Sequence, residues 1–103
     1  MPQNYVVIVQ AEAFRDLDEI LDHVGRQSSQ GAAQLIDRLW NAMQSLSEFP
    51  RRYKVYRTRK DPRYAIHSMP VRPYVIYYRV SDSPACVRIL TVRHAARRRP
   101  RDI

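Results

Sequence analysis

The chain is short of several things, and each shortage removes a class of function. Its single cysteine, Cys86, cannot close an intrachain disulfide and has no second thiol with which to build a metal knot; that suits a reducing compartment, and Cys86 reads as core. Only two glycines are present, Gly25 and Gly31. Both flank a predicted helix connector, so there is no glycine-rich loop to cradle a phosphate. The three histidines, His23, His67 and His94, are neither three nor four residues apart, nor in ligand spacing with Cys86. No metal site is expected, and no cofactor is implied. No apolar run approaches the roughly 18 residues that cross a bilayer, and the opening segment MPQNYVVIVQ lacks the basic stretch and long apolar core of a secretory signal. The expectation is a cytoplasmic chain with no membrane partner.

Basic residues are scarce too, but only in one half. Residues 1–50 hold three of them (Arg15, Arg26, Arg38) against seven acidic ones, a balance of −4, while residues 51–103 hold fifteen against three, a balance of +12. Such a contrast points to an anionic partner for one part of the surface: nucleic acid, an acidic protein segment or, ranked last, a membrane headgroup layer. With 103 residues, 45% of them apolar, the chain is long enough for one core and too short for two. A single domain is expected over residues 1–97, followed by a basic tail at 98–103.

The hydrophobic period changes along the chain. YVVIVQ at 5–10 is a β-branched run too short for a helix and reads as a strand buried on both faces. From Ala11 to Arg26 the residues Phe14, Leu17, Leu21 and Val24 recur at spacings of three and four, with Ile20 beside them. Glu12, Asp16, Asp18, Glu19 and Asp22 fill the other side, which predicts an amphipathic helix with a solvated acidic face and no catalytic role. QSSQG breaks the pattern, and Ser28 or Ser29 can cap a second helix whose apolar positions are Ala32, Leu35, Ile36, Leu39, Trp40, Met43 and Leu46, closed by Pro50. Four strands follow, YKVYR at 53–57, YAIHSM at 64–69, YVIYYRV at 74–80 and CVRILTV at 86–92, with Pro70 and Pro73 bracketing one tight connection. The order β-α-α-β-β-β-β predicts an α+β fold with a helical hairpin on one face of a mainly antiparallel sheet. The other sheet face is left as a binding surface.

What could carry function is a basic and aromatic set in the second half. Arg51, Arg52, Lys54, Arg57, Arg59, Lys60 and Arg63 gather around the first hairpin, and Tyr74, Tyr77, Tyr78 and Arg79 lie on a strand. Arg93, His94, Arg97, Arg98, Arg99 and Arg101 lie at the end. Arginine interleaved with tyrosine suits phosphates and stacked bases, and equally a protein interface with arginine and aromatic anchors. Most of the tyrosines are assigned to packing, because Tyr74, Ile76, Tyr78 and Val80 alternate onto one face.

The order of elements, the second helix ending in LSEFP, and above all Y-x-I-x-Y-R-V at 74–80 followed by I-L-x-V-x-H-x-x-R at 89–97 resemble the RelE/ParE superfamily of toxins from bacterial type II toxin–antitoxin modules. The resemblance covers nearly the whole chain. It implies a cognate antitoxin whose acidic and apolar segment wraps the toxin. It also implies a target. In the RelE-like branch an arginine just after the tyrosine that opens the fourth strand serves ribosome-dependent cleavage of mRNA; here that position is Val75, an aliphatic that cannot balance phosphate charge. The ending His94-Ala95-Ala96-Arg97 is similar to that of the ParE-like branch, which poisons DNA gyrase without catalysis. The favoured expectation is therefore a plasmid-stabilisation type toxin that inhibits DNA gyrase. A ribosome-directed endoribonuclease using Lys54, Arg57, His94 and Arg97, or a plain basic nucleic-acid-binding module, are the alternatives. Contacts with target or antitoxin are assigned to Arg57, Arg59, Tyr77, Arg79, Arg93, His94, Arg97, Arg98 and Arg99.

Overall fold

The computed structural model describes residues 4–57, 61, 64–97, 100 and 103. Strand β1 (Val6–Val9) leads into helix α1 (Ala11–Gly25) and helix α2 (Ser29–Ser45); a short 3-10 turn at Pro50–Arg52 then precedes β2 (Val55–Arg57), β3 (Ile66–Val71), β4 (Tyr74–Asp82) and β5 (Ala85–His94). The five strands form one sheet in the order β1-β5-β4-β3-β2. All neighbours are antiparallel except β1 and β5, which run parallel with Val6 opposite Cys86 and Val9 opposite Ile89. This is the expected α+β arrangement, with the helical hairpin packed on one face.

The core lies between that hairpin and the sheet. Ala13, Leu17 and Ile20 of α1 and Leu35, Leu39 and Met43 of α2 are buried at spacings of three and four, against Tyr74, Ile76, Tyr78 and Val80 of β4 and Val87, Ile89 and Val92 of β5. Ser28 caps α2, its Oγ accepting from the Gly31 N–H at 3.0 Å, which meets one of the orphan donors of the first turn. At the other end of α2, Arg52 donates to the carbonyls of Glu48 (2.7 Å), Phe49 (3.2 Å) and Ser45 (3.3 Å), placing a cation on the negative end of the helix. The Tyr78 hydroxyl donates to the Pro50 carbonyl at 2.6 Å inside the core. Burial there pushes its pKa well above the ordinary tyrosine value. His67 stacks on Tyr78 with ring centroids 5.2 Å apart, and its Nδ1 lies 2.9 Å from the Tyr53 carbonyl, so Nδ1 carries the proton.

Several local expectations are corrected. The buried stripe of α1 is rotated by one position: Ala13 is buried, whereas Phe14 and Leu21 are 47% and 44% exposed, with Phe14 resting on the half-exposed Trp40 at 6.1 Å between centroids. β1 is buried on one face only. Val7 and Val9 join the core on the helix side while Val6 stays exposed. β3 continues through Pro70 instead of stopping before it. Ser68 donates its N–H toward β2, to the Lys54 carbonyl at 3.1 Å. Two residues on, the nitrogen of Pro70 points the same way, past the start of β2 at Val55, where no ladder bond is lost.

Candidate functional site

The end of β5 is held in an unusual way. β1 stops at Val9, and the chain turns into α1 after the Gln10 N–H bonds to the Ile89 carbonyl at 3.0 Å. Beyond that point the edge of β5 has no strand beside it, and Asp16 of α1 takes its place. Oδ2 accepts from the Val92 N–H at 2.9 Å and from the hydroxyl of fully buried Thr91 at 2.5 Å. Thr91 Oγ1 in turn accepts from Arg93 Nε at 3.0 Å, and the same guanidinium faces Glu12 at 3.8 Å. Asp16 was expected on a solvated face, but the edge of β5 is open for a physical reason that only the pairing of β1 reveals.

This brace carries His94 and Arg97 to the sheet margin. His94 Nδ1 accepts from the Ala96 N–H at 3.0 Å, which leaves the proton of the neutral ring on Nε2, and the ring meets Tyr74 edge to face at 5.2 Å. His94 and Arg97 then line a cavity of about 260 Å³ together with Glu19 and His23 of α1, on the helix side of the sheet. Arg97 is exposed, and its guanidinium makes no ion pair with a described residue. It also borders a second cavity of about 330 Å³ on the far face, with Lys54, Tyr56, Ser68, Val75 and Tyr77. Arg97 is thus shared by both cavities, whereas His94 and Lys54 face opposite sides.

The far face has a small apolar cluster of its own. Ile66, Tyr77 and Leu90 are buried there beside Tyr56, Val75 and Ile103. Tyr56 meets Tyr77 at 5.0 Å, and its hydroxyl donates to the Pro100 carbonyl at 2.7 Å. Arg57 donates to the Ile103 carbonyl at 2.7 Å. The described residues of the C-terminal segment therefore lie against this face. Arg59, Arg98 and Arg99, assigned to binding from sequence, lie outside the described residues. Of the remaining assigned residues, Tyr77 is 5% exposed and packs into the cluster, and Arg93 faces α1. Arg79 opens onto a third cavity with Arg88, a residue missed because only strand register brings the two together.

Two basic residues of the first hairpin serve the fold. Arg52 caps α2, and Arg51 forms a two-pronged pair with Asp82, both contacts at 3.0 Å, while the Tyr5 hydroxyl donates to the same carboxylate at 2.6 Å. The Arg51 guanidinium, and then the Tyr5 hydroxyl, hold the Asp82 carboxyl below the usual carboxylate range. That carboxylate raises the Tyr5 pKa. Among the described residues no group of three or more His, Cys, Asp or Glu side chains could hold a metal, and no helix is long and apolar enough to cross a membrane.

The fold is a two-helix layer on a five-stranded sheet, with His94 and Arg97 at the margin of its last strand. The model of the family described as ParE toxin of type II toxin–antitoxin system, parDE, matches residues 7–99. Toxin RelE2 of Caulobacter vibrioides is 36% identical over 85 residues, which is 82% of this chain and 89% of the relative. Among solved structures, the chromosomal ParDE TA system from P. aeruginosa superposes with a TM-score of 0.71 at 17% identity, covering 89% of this chain and 97% of that one. The toxin–antitoxin complex RelBE2 from Mycobacterium tuberculosis superposes with a TM-score of 0.61 at 26% identity, covering 91% and 94%. The chain belongs to the ParE toxin family, within the RelE/ParE superfamily of type II toxin–antitoxin toxins.

Proposed function

We propose that the protein arrests bacterial growth by binding and inhibiting DNA gyrase in the cytoplasm, without catalysis, and that a cognate antitoxin with an acidic and apolar segment neutralises it, as in plasmid-stabilisation modules. The observation that carries this reading is at Val75. It lines the far-face cavity together with Lys54 and Arg97 and packs against the cluster of Ile66, Tyr77 and Leu90. Where the ribonuclease branch places an arginine, this cavity therefore has an aliphatic side chain, which supplies no charge to a developing oxyanion. Of the four residues a nuclease would use, His94 lines the helix-side cavity and Arg57 donates to Ile103, while Lys54 and Arg97 line the far-face cavity, and this separation supports the non-catalytic reading. The +12 balance of residues 51–103 supports the acidic antitoxin.

Two observations favour the endoribonuclease reading: Lys54 and Arg97 share a cavity, with two tyrosines beside them, and a relative bears the name Toxin RelE2. Expression in the native host separates the two. Gyrase inhibition predicts growth arrest with DNA damage and filamentation while translation continues, relieved by co-expressing the neighbouring partner gene. Site-specific cuts in ribosome-bound mRNA would replace this reading with the nuclease, and unimpaired growth at high expression would remove both.

A further inference from the structure

Arg79 and Arg88 are direct partners across β4 and β5. Arg79 is two residues from Tyr77 and Arg88 two from Leu90, both members of the far-face cluster, so the two guanidinium groups stand side by side on the face away from the helices. Like charges directly opposite one another on antiparallel strands repel, and such pairs are normally avoided or bridged. Nothing among the described residues bridges this one. Among the described residues neither arginine has a carboxylate partner; Arg79 meets the Tyr64 ring, 5.9 Å from its guanidinium carbon, and its Nε is buried with no hydrogen-bond acceptor there. Buried donors are almost always met. The two arginines, Tyr64, Ser81, Ser83 and Cys86 line one cavity of about 250 Å³.

We propose that this cavity is a carboxylate-binding site that takes an acidic side chain from an extended partner polypeptide. One carboxylate satisfies every feature at once. Its two oxygens accept side-on from Nε and a terminal nitrogen of Arg79, Arg88 closes from the other strand, and the repulsive pair becomes a bridged one. The flank identifies the carrier. On the same face Val6 lies opposite Cys86 and Ile8 opposite Arg88, and Val6 is 64% exposed. A phosphodiester chain would bring its next negative charge onto these aliphatic side chains, whereas a polypeptide brings an apolar residue next to its acid. That the polypeptide is the antitoxin rests on the reading above; the site itself does not.

The test uses the full chain, made by cell-free synthesis, with 15N-labelled arginine side chains followed by NMR. A capped valine–glutamate–valine peptide should shift the Arg79 Nε–H resonance saturably, and its glutamine counterpart should need at least ten times the concentration. A dinucleoside monophosphate should bind no better than the glutamine peptide. Arg79→Gln and Arg88→Gln should each weaken the glutamate peptide at least fivefold. Because Arg88 is exposed, Arg88→Gln is the safer variant. It should melt no lower than wild type, since it removes a repelling charge. Equal binding of the glutamine peptide, tighter binding of the dinucleoside, unchanged affinity in a folded Arg88→Gln variant, or a loss of several degrees in its melting temperature would each overturn the proposal. None of these readouts depends on toxicity, so the site stands or falls separately from the growth assay.

Discussion

Replacing Asp16 by alanine tests the brace that holds the end of β5. Oδ2 accepts two hydrogen bonds, from the Val92 N–H and the Thr91 hydroxyl, and Thr91 and Val92 are 0% and 3% exposed. The substitution leaves two buried donors without their acceptor. An unmet buried donor costs about 1–3 kcal/mol, and the two share one site, so their sum is not fully additive. A loss of roughly 2–3 kcal/mol is expected, which for a domain of this size lowers the melting temperature by about 10–20 °C. Asp16→Asn, which keeps an acceptor oxygen, should lose about half as much. Circular dichroism in thermal and urea melts reads the total, and hydrogen exchange localises it: the Val92 amide should exchange much faster in Asp16→Ala while the Ile76 amide tracks global stability. An Asp16→Ala protein melting within about 2 °C of wild type, with Val92 still protected, would show that Asp16 is a solvated acid after all.

Two further outcomes follow from charged groups. Arg97→Ala should change stability by less than about 0.5 kcal/mol, because the guanidinium is exposed and pairs with no described acid, yet should abolish growth arrest; retained toxicity with an unchanged melt would remove Arg97 from the site. The Arg51–Asp82–Tyr5 group should give an acid limb: with the carboxyl depressed in the folded state, its contribution is complete above about pH 4 and is lost as pH falls through the folded value. The difference in urea midpoint between wild type and Asp82→Asn should therefore shrink on acidification and narrow in high salt, since the pair is exposed. A difference constant down to pH 2 would contradict the assignment.

What could be read from the chain was what periodicity encodes. α2 begins at the capping serine and ends before Pro50 as its pattern requires, and the last three strands appear where β-branched and aromatic residues cluster. Features set by pairing across long distances left no local trace. Nothing in YVVIVQ says that it runs parallel to β5, yet that pairing exposes the β5 edge and turns Asp16 from a surface acid into a ladder substitute. Phe14 and Leu21 fit the helical stripe as well as Ala13 does, and only the sheet's position decides which side is covered. The position of His94 and Arg97 at and just beyond a strand end was legible from the pattern of β5. The placement of Arg88 opposite Arg79 was not, since only the strand register brings the two together.

The parallel pairing of β1 with β5 also orders events during synthesis. Val6 and Cys86 are eighty residues apart in the chain, and joining them closes a loop of almost the whole molecule, the slowest kind of contact to form. The helical hairpin and the β3–β4 hairpin can assemble from local contacts as they leave the ribosome, but β1 has no neighbour until β5 has emerged. The arginine and histidine at the end of β5 are then set in place by the same late step that completes the sheet. A chain interrupted before β5 consequently cannot complete the sheet or bring His94 and Arg97 to its margin.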